Sequence, residues 1–97
     1  FKISVKASKD IEQIWLYTIE HWSLEQADRY INQIFDEIEY LSEHPYTGKD
    51  FSYIRKGYRT SNVKSHMIFY RFNTDNDPIE IIRVLHQRMN IEQRLNE

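Results

Sequence analysis

The residues best suited to chemistry cluster near the C-terminal end, in the stretch IIRVLHQRMN from Ile81 to Asn90. A β-branched apolar run there passes into arginine, histidine and amide side chains. Arginine can stabilise the charge that develops at a phosphodiester while histidine or tyrosine moves a proton, so these types could support metal-free RNA cleavage. Residues of the right types are Tyr58, His66, Tyr70, Arg71, Arg83, His86 and Arg88.

The alternation of side chains along a strand argues against their convergence. His66 and Arg71 are expected on opposite sides of one strand, and Arg83 and His86 on opposite sides of the next. Arg83 could fix the end of its strand by hydrogen bonds or face a partner, or it could form an ion pair with Glu80 or with a helix carboxylate. The sequence leaves both interpretations of Arg83 open.

Other chemistries find less support. No histidine has a second histidine or a carboxylate at a ligand spacing such as i, i+4, so we expect no metal. The chain has no cysteine, only two glycines and no G-x-S-x-G motif, which excludes thiolate chemistry, a glycine-rich phosphate loop and a serine-hydrolase elbow. Carboxylate pairs such as Asp36 and Glu39 are interpreted as solvated helix faces. We therefore expect no cofactor and no catalytic residue for these chemistries.

Composition restricts the class of protein further. The 97 residues predict a single domain over 1–97, and 13 Lys and Arg against 15 Asp and Glu give a net charge of −2. A nucleic-acid-binding domain usually carries a basic excess, so direct sequence-specific binding of nucleic acid is disfavoured. The absence of cysteine and of any apolar run of about 18 residues predicts a soluble, cytoplasmic protein without a membrane partner.

The first half of the chain predicts one strand and two helices. FKISVKA, residues 1–7, alternates with period two as a half-buried strand does, and Ser8 is a plausible N-cap for a helix reaching Trp22. Ser23 and Gln26 form a capping box, so a second helix should follow directly and run to about His44. The tight connection predicts an antiparallel helix hairpin.

The second half predicts strands. After a loop at HPYTGKD come strand-like runs at about 54–63, 66–72 and 79–86, the last two forming an antiparallel hairpin, and MNIEQRLNE predicts a short helix or a tail. The order is that of an α+β fold in which both helices pack on one face of a mainly antiparallel sheet.

This arrangement leaves apolar side chains on both faces of the central strands. In the last strand Ile82 and Val84 are expected opposite Ile81 and Leu85. In the strand before it, Ile68 and Tyr70 are expected opposite Met67 and Phe69. Since the helices cover only one face, either the C-terminal tail or a partner chain must cover the other.

Four stretches resemble the ParE toxins of the RelE/ParE superfamily, one half of bacterial type II toxin–antitoxin pairs. They are IEQIWLYTIEHWSLEQADRYINQI, with W-S-x-E-Q-A between the helices; HPYTGKD; SHMIFYRF; and IIRVLHQRMN, in which R-V-L-H-x-R-M is most specific. The resemblance implies the same fold and inhibition of DNA gyrase by protein binding. It also implies a hetero-oligomer with a cognate ParD-like, ribbon-helix-helix antitoxin whose C-terminal segment wraps the toxin.

Two groups of site residues follow. The apolar residues expected to bind antitoxin are Trp15, Leu16, Ile19, Met67, Phe69, Ile81 and Leu85. The residues expected to face the target are Arg83, His86, Arg88 and Met89.

Two alternatives stay open. One is a ribosome-dependent messenger RNA endoribonuclease of the RelE branch, using Arg59, His66, Arg71, His86 or Arg88. Members of that branch are usually strongly basic and carry an arginine where this sequence has Met67, which favours gyrase. The other alternative is a degenerate toxin that only binds its antitoxin.

Overall fold

The computed structural model describes residues 1–97 as two long helices packed on a five-stranded mixed sheet. The elements are β1 (Lys2–Ile3), α1 (Val5–His21), α2 (Leu24–Glu43), a 3₁₀ turn (Pro45–Thr47), β2 (Lys49–Asp50), β3 (Arg59–Val63), β4 (His66–Arg71), β5 (Glu80–His86) and α3 (Ile91–Leu95). The strand order is β1-β5-β4-β3-β2, with β1 parallel to β5 and every other pair antiparallel. The predicted α+β architecture is confirmed. No helix is both long and apolar enough to span a membrane.

The N-terminal strand is shorter than the alternation in residues 1–7 predicted. Only Lys2 and Ile3 pair with β5, and Ser4 rather than Ser8 caps α1, its hydroxyl accepting a hydrogen bond from the Ala7 amide at 3.0 Å. The prediction failed because Ala7 also belongs to a helical series with Ile11 and Ile14, and all three are buried. Burial of that helical face outweighs the local strand pattern.

The helix hairpin agrees with the sequence. Ser23 caps α2 by accepting from the Gln26 amide at 3.1 Å, and α2 ends at Glu43, before Pro45. The face of α2 that packs on the sheet is formed by Ala27, Ile34, Ile38 and Leu41. This places α1 and α2 together on one face of the sheet.

A β-bulge in β5 changes which of its side chains share a face. Phe69 pairs with Arg83 and Tyr70 with Ile81, so Ile82 is an extra residue without a partner in β4. The expected grouping of Ile82 with Val84 is therefore wrong.

The two faces consequently hold different residues from those expected. The core beneath the helices includes Ile68, Tyr70, Ile81 and Val84. The cluster on the opposite face includes Phe69 and Leu85, with Met67 and Ile82 packed against it.

The opposite face is covered by the chain itself. α3 supplies Leu95 and Ile91, as the tail alternative required, and the segment between β2 and β3 supplies Phe51, Ile54 and Tyr58. That segment was expected to be part of a strand from residue 54, whereas β3 begins at Arg59. The surplus of apolar side chains therefore does not by itself require a partner chain.

Tyr70 ties the 3₁₀ turn to the sheet. Its hydroxyl donates to the Pro45 carbonyl at 2.7 Å and accepts from the Gly48 amide at 2.9 Å, and the residue is completely buried. A Cβ atom at Gly48 would overlap that hydroxyl and lie 2.7 Å from the ring. The close approach of backbone to ring requires glycine here.

Replacement of Gly48 by alanine should therefore destabilise the protein strongly. The ring of Tyr70 has no room to move, so we expect Gly48→Ala to lower the free energy of unfolding by about 3 kcal/mol, from overpacking and a lost hydrogen bond. Gly57→Ala is the matched control: its φ of 81° is strained for alanine but its surroundings are open, so about 1 kcal/mol is expected. Urea unfolding measures both, and equal losses would contradict the packing argument.

Candidate functional site

A groove of about 930 Å³ lies between the helix hairpin and the ends of β4 and β5. Tyr17, Trp22 and Met89 line it and are largely exposed, Trp22 at 72%. His66 and His86 line it from β4 and β5. Three of the residues singled out from the sequence for the target, Arg83, His86 and Met89, thus line this groove.

The ion pair between Asp10 and Arg83 lies at one side of this groove. Arg83 Nε is 2.8 Å from Asp10 Oδ2 and Nη2 is 3.0 Å from Oδ1, a bidentate arrangement with side-chain exposures of 10% and 14%. Asp10 Oδ2 also accepts from the Val84 amide at 3.0 Å. These hydrogen bonds to Asp10 raise the pKa of Arg83 above its ordinary value.

Arg83 also holds the C-terminal helix. Its Nη1 donates to the Arg94 carbonyl at 2.8 Å and lies 3.6 Å from a carboxylate oxygen of Glu97. One guanidinium therefore joins α1, β5 and α3. The sequence left open whether Arg83 forms an ion pair, and the structure shows one with the helix carboxylate of Asp10. Contact of Arg83 with a target stays a prediction.

Glu80, the other partner considered for Arg83, pairs with Arg71. The distance from Arg71 Nη2 to Glu80 Oε1 is 3.2 Å, on an exposed part of the sheet. Exposed pairs of this kind contribute little to stability, because solvent screens them.

His66 lies between Tyr30 and His86. Its Nδ1 is 2.5 Å from the Tyr30 hydroxyl, which is 3.0 Å from the Val63 carbonyl, and its ring centroid is 5.2 Å from that of His86. Burial, and then the charge of His86, lower the pKa of His66 to about 4. Burial also raises the pKa of the Tyr30 hydroxyl. Both side chains are therefore uncharged near pH 7.

The tautomer of His66 follows from these contacts. The tautomer that satisfies both contacts of the Tyr30 hydroxyl, as donor to the Val63 carbonyl and as acceptor from His66, carries the His66 proton on Nδ1. His86 accepts on Nδ1 from the Arg88 amide at 3.1 Å, so its neutral form carries the proton on Nε2. The pair is thus ordered by hydrogen bonds within the protein.

The remaining residues considered for RNA cleavage are dispersed. Arg59 donates to the Gly48 carbonyl at 2.8 Å, Arg71 is paired with Glu80, and Tyr58 and Tyr70 are buried. His66 and His86 are adjacent, and the Arg83 side chain is bound to Asp10. No group of three or more histidine, cysteine or acidic side chains could hold a metal ion.

The residues expected to bind antitoxin fall into two sets. Trp15, Leu16 and Ile19 lie on α1 and are at least partly accessible, with Trp15 Nε1 donating to Asp28 at 3.0 Å. Met67 is half-buried on the opposite face of the sheet.

The other three residues of that group lie in the core. Phe69, Ile81 and Leu85 have at most 1% exposure, Ile81 beneath the helices and the other two on the opposite face. A partner could reach them only if the segments covering them moved. Their contact with antitoxin stays a prediction.

Several residues at the groove were not singled out from the sequence. Asp10 was not distinguished from the other helix carboxylates, which were interpreted as solvated, and Trp22 entered only as the end of the first helix. Trp22 instead follows the last residue of α1, where it is exposed. The one sequence signal for an exposed Trp22 was its position directly before Ser23, the N-cap of the second helix. A residue between two helices no longer lies on the packed face of either helix.

Comparison with known proteins identifies the class. A family model described as the ParE toxin of the type II toxin-antitoxin system, parDE, matches residues 1–91. Toxin ParE1 of Caulobacter vibrioides is 39% identical over 95 residues, covering 98% of this chain and 96% of that protein. Toxin ParE1 of Mycobacterium tuberculosis is 35% identical with the same coverage. The chain therefore belongs to the ParE toxin family of type II toxin–antitoxin systems, as the resemblance implied.

A solved structure supports the fold. A chain from the chromosomal ParDE TA system from P. aeruginosa matches with a TM-score of 0.75 at 20% identity, covering 88% of this chain and 91% of that one. The arrangement of helices and strands is therefore shared by a protein of quite different sequence.

Removal of Asp10 should destabilise the protein more than removal of an exposed ionic residue. Asp10→Ala removes the bidentate partner of the largely buried guanidinium of Arg83 and leaves it only the longer ionic contact to Glu97, so we expect a loss of about 3 kcal/mol in the free energy of unfolding. Arg71→Ala breaks the exposed pair with Glu80 and should cost less than about 1 kcal/mol. Chemical unfolding at low and high salt measures both; similar losses would show that the Asp10 pair is not a central contact.

Stability should fall as the pH drops through the range set by His66. The unfolded chain takes up a proton on this residue near pH 6.5 but the folded protein only near pH 4, so the contribution is complete above pH 6.5 and is lost on acidification towards 4. Because His66 is partly exposed, we expect its contribution to the free energy of unfolding to be about 1 to 2 kcal/mol. His66→Gln should show a correspondingly shallower decline in unfolding free energy between pH 6.5 and 4, whereas parallel profiles would contradict this assignment.

Proposed function

We propose that this toxin acts by binding DNA gyrase, without catalytic residues of its own, and that a ParD-like antitoxin neutralises it. The observation that carries the proposal is the match to the ParE toxin family over residues 1–91. The geometry is consistent with recognition, since Arg59, Arg71 and Arg83, which were considered for RNA cleavage, are bound to other groups of the protein. A cytoplasmic location fits a gyrase target.

The accessible side of α1 is the proposed antitoxin surface. Leu16 is exposed, and Trp15 and Ile19 flank it on the side of the helix away from the groove. Exposed apolar side chains grouped on a helix are typical of a protein interface. A ribbon-helix-helix antitoxin that covers this surface would form a hetero-oligomer with the toxin.

The end of β5 and the turn after it form the proposed target surface. Arg88 and Met89 are exposed, and His86 lies beside them at the groove. Arginine and methionine are enriched in protein interfaces. Arg83 lies just behind this surface, where its contacts to Asp10 and to the Arg94 carbonyl support the conformation of the strand end.

Purified toxin should inhibit supercoiling by gyrase and trap cleaved plasmid DNA. We expect the double variant Arg88→Ala, Met89→Ala to need at least about tenfold more toxin for the same effect, because exposed interface anchors commonly contribute more than 1.4 kcal/mol. Both residues are exposed, so the variant should fold. A titration of toxin into gyrase and supercoiled plasmid, read on agarose gels, gives the measurement.

Lys56→Ala is the matched control, since it removes an exposed side chain from the turn between β2 and β3, away from the groove. It should behave as the wild type. Unchanged supercoiling and no cleaved product at excess wild-type toxin would refute gyrase as the target. New messenger 5′ ends at the ribosomal A site in a translation extract would instead support the endoribonuclease alternative.

A further inference from the structure

Lys64 adopts a backbone conformation that is unfavourable for its residue type. It is the one residue other than glycine with a positive φ, 51°, and it lies in the two-residue turn between Val63, the end of β3, and His66, the start of β4. At positive φ a side chain crowds the following carbonyl, so glycine or asparagine is favoured in such turns. A lysine at this position therefore costs stability.

The contacts of Lys64 within the fold do not compensate for this strain. The side chain is exposed and forms no ion pair. Its Nζ lies 5.7 Å from the centre of the Tyr30 ring, and a cation–π contact on the surface is worth less than the strain of a left-handed residue. Strain without internal compensation is characteristic of residues that serve in binding.

The turn that carries Lys64 adjoins the proposed target surface. The Gln87 amide donates to the Ser65 carbonyl at 2.8 Å, and this bond joins the β3–β4 turn to the turn after β5. Gln87 is followed directly by Arg88 and Met89, which are exposed. The two turns therefore leave the same end of the sheet side by side.

Together the two turns present cations beside an apolar side chain. Lys64 and Arg88 are exposed and form no ion pair, and Met89 is 41% exposed. Arg29, on α2, is also exposed and lines the same groove as Lys64. Arginine and methionine are enriched in protein interfaces, so this combination fits a protein with an acidic patch better than a bare phosphate backbone.

We propose that Lys64 is a target-binding residue, and that the β3–β4 turn and the turn after β5 form one surface that contacts an acidic patch of the target protein. The inference rests on the proposed function and extends the target surface beyond Arg88 and Met89. The ammonium group lies at the rim of this surface, where a charge acts on the rate of association and is screened by salt.

Replacement of Lys64 by glycine separates a structural role from a binding role, because glycine relieves the strain and removes the charge. The urea midpoint of Lys64→Gly should equal or exceed that of the wild type. The toxin concentration for half-inhibition of gyrase supercoiling should rise about threefold to tenfold at low salt, and this difference should shrink at high salt. Lys64→Arg keeps the charge and should stay within about twofold of the wild type.

Lys56→Gly is the matched control, since it removes the same charge from the exposed turn between β2 and β3, outside the groove. It should change the inhibitory concentration by less than about twofold. Wild-type potency of Lys64→Gly, an equal loss for Lys56→Gly, or a urea midpoint of Lys64→Gly below that of the wild type would overturn the proposal. Binding of the toxin alone to labelled duplex DNA, lost in Lys64→Gly, would assign the residue to nucleic acid instead.

Growth of a bacterial host that expresses each variant from an inducible promoter separates failure of this inference from failure of the gyrase proposal. Wild-type toxin that arrests growth but leaves supercoiling unchanged would exclude gyrase as the target. Weaker arrest by Lys64→Gly than by the wild type and Lys56→Gly, at equal protein levels, would still support the role of Lys64. Equal arrest by all three proteins, or no arrest by the wild type, would overturn it.

Discussion

The ion pair between Asp10 and Arg83 is the contact on which the rest of the structure depends. It joins the first helix, β5 and the C-terminal helix. The Asp10 carboxylate also accepts a hydrogen bond from the Val84 amide. β1 pairs with only two residues of β5, so it does not reach the Val84 amide. The Asp10 side chain accepts the hydrogen bond that the backbone of a longer β1 would otherwise accept. The backbone groups of β5 beyond Asp10 are left facing the groove.

The bulge at Ile82 has an equally wide effect. By inserting one residue opposite β4, it directs Ile81 and Val84 towards the helices, and Ile82 and Leu85 towards the opposite face. Two apolar clusters result, and the chain closes the second with its own loop and C-terminal helix. The surfaces left for partners are therefore helical and loop surfaces rather than a bare sheet. The burial of Phe69, Ile81 and Leu85 follows from this closure.

The groove is better suited to binding than to reaction. His66 is held neutral by burial and hydrogen-bonded to Tyr30, and the guanidinium of Arg83, which also lines the groove, is bound to Asp10. A catalytic centre for phosphodiester cleavage needs free cationic groups directed at the developing charge. Arg29 on α2 and Lys64 at the turn between β3 and β4 are exposed cations of the groove that can contact a partner of opposite charge.

The sequence alone determined the fold class, the helix hairpin and the family, because these depend on periodicity, on the cap at Ser23, on the helix stop before Pro45, and on motifs that are local in the chain. It also suggested the region of the site, since Arg83 to Met89 form one short stretch. Only the tertiary structure decided the partner of Arg83, the face of each β5 side chain and the covering of the second cluster. Asp10 and Arg83 are 73 residues apart, and a single bulged residue reverses the alternation on which strand predictions rest. Such contacts are set by how distant segments meet, which no local pattern encodes.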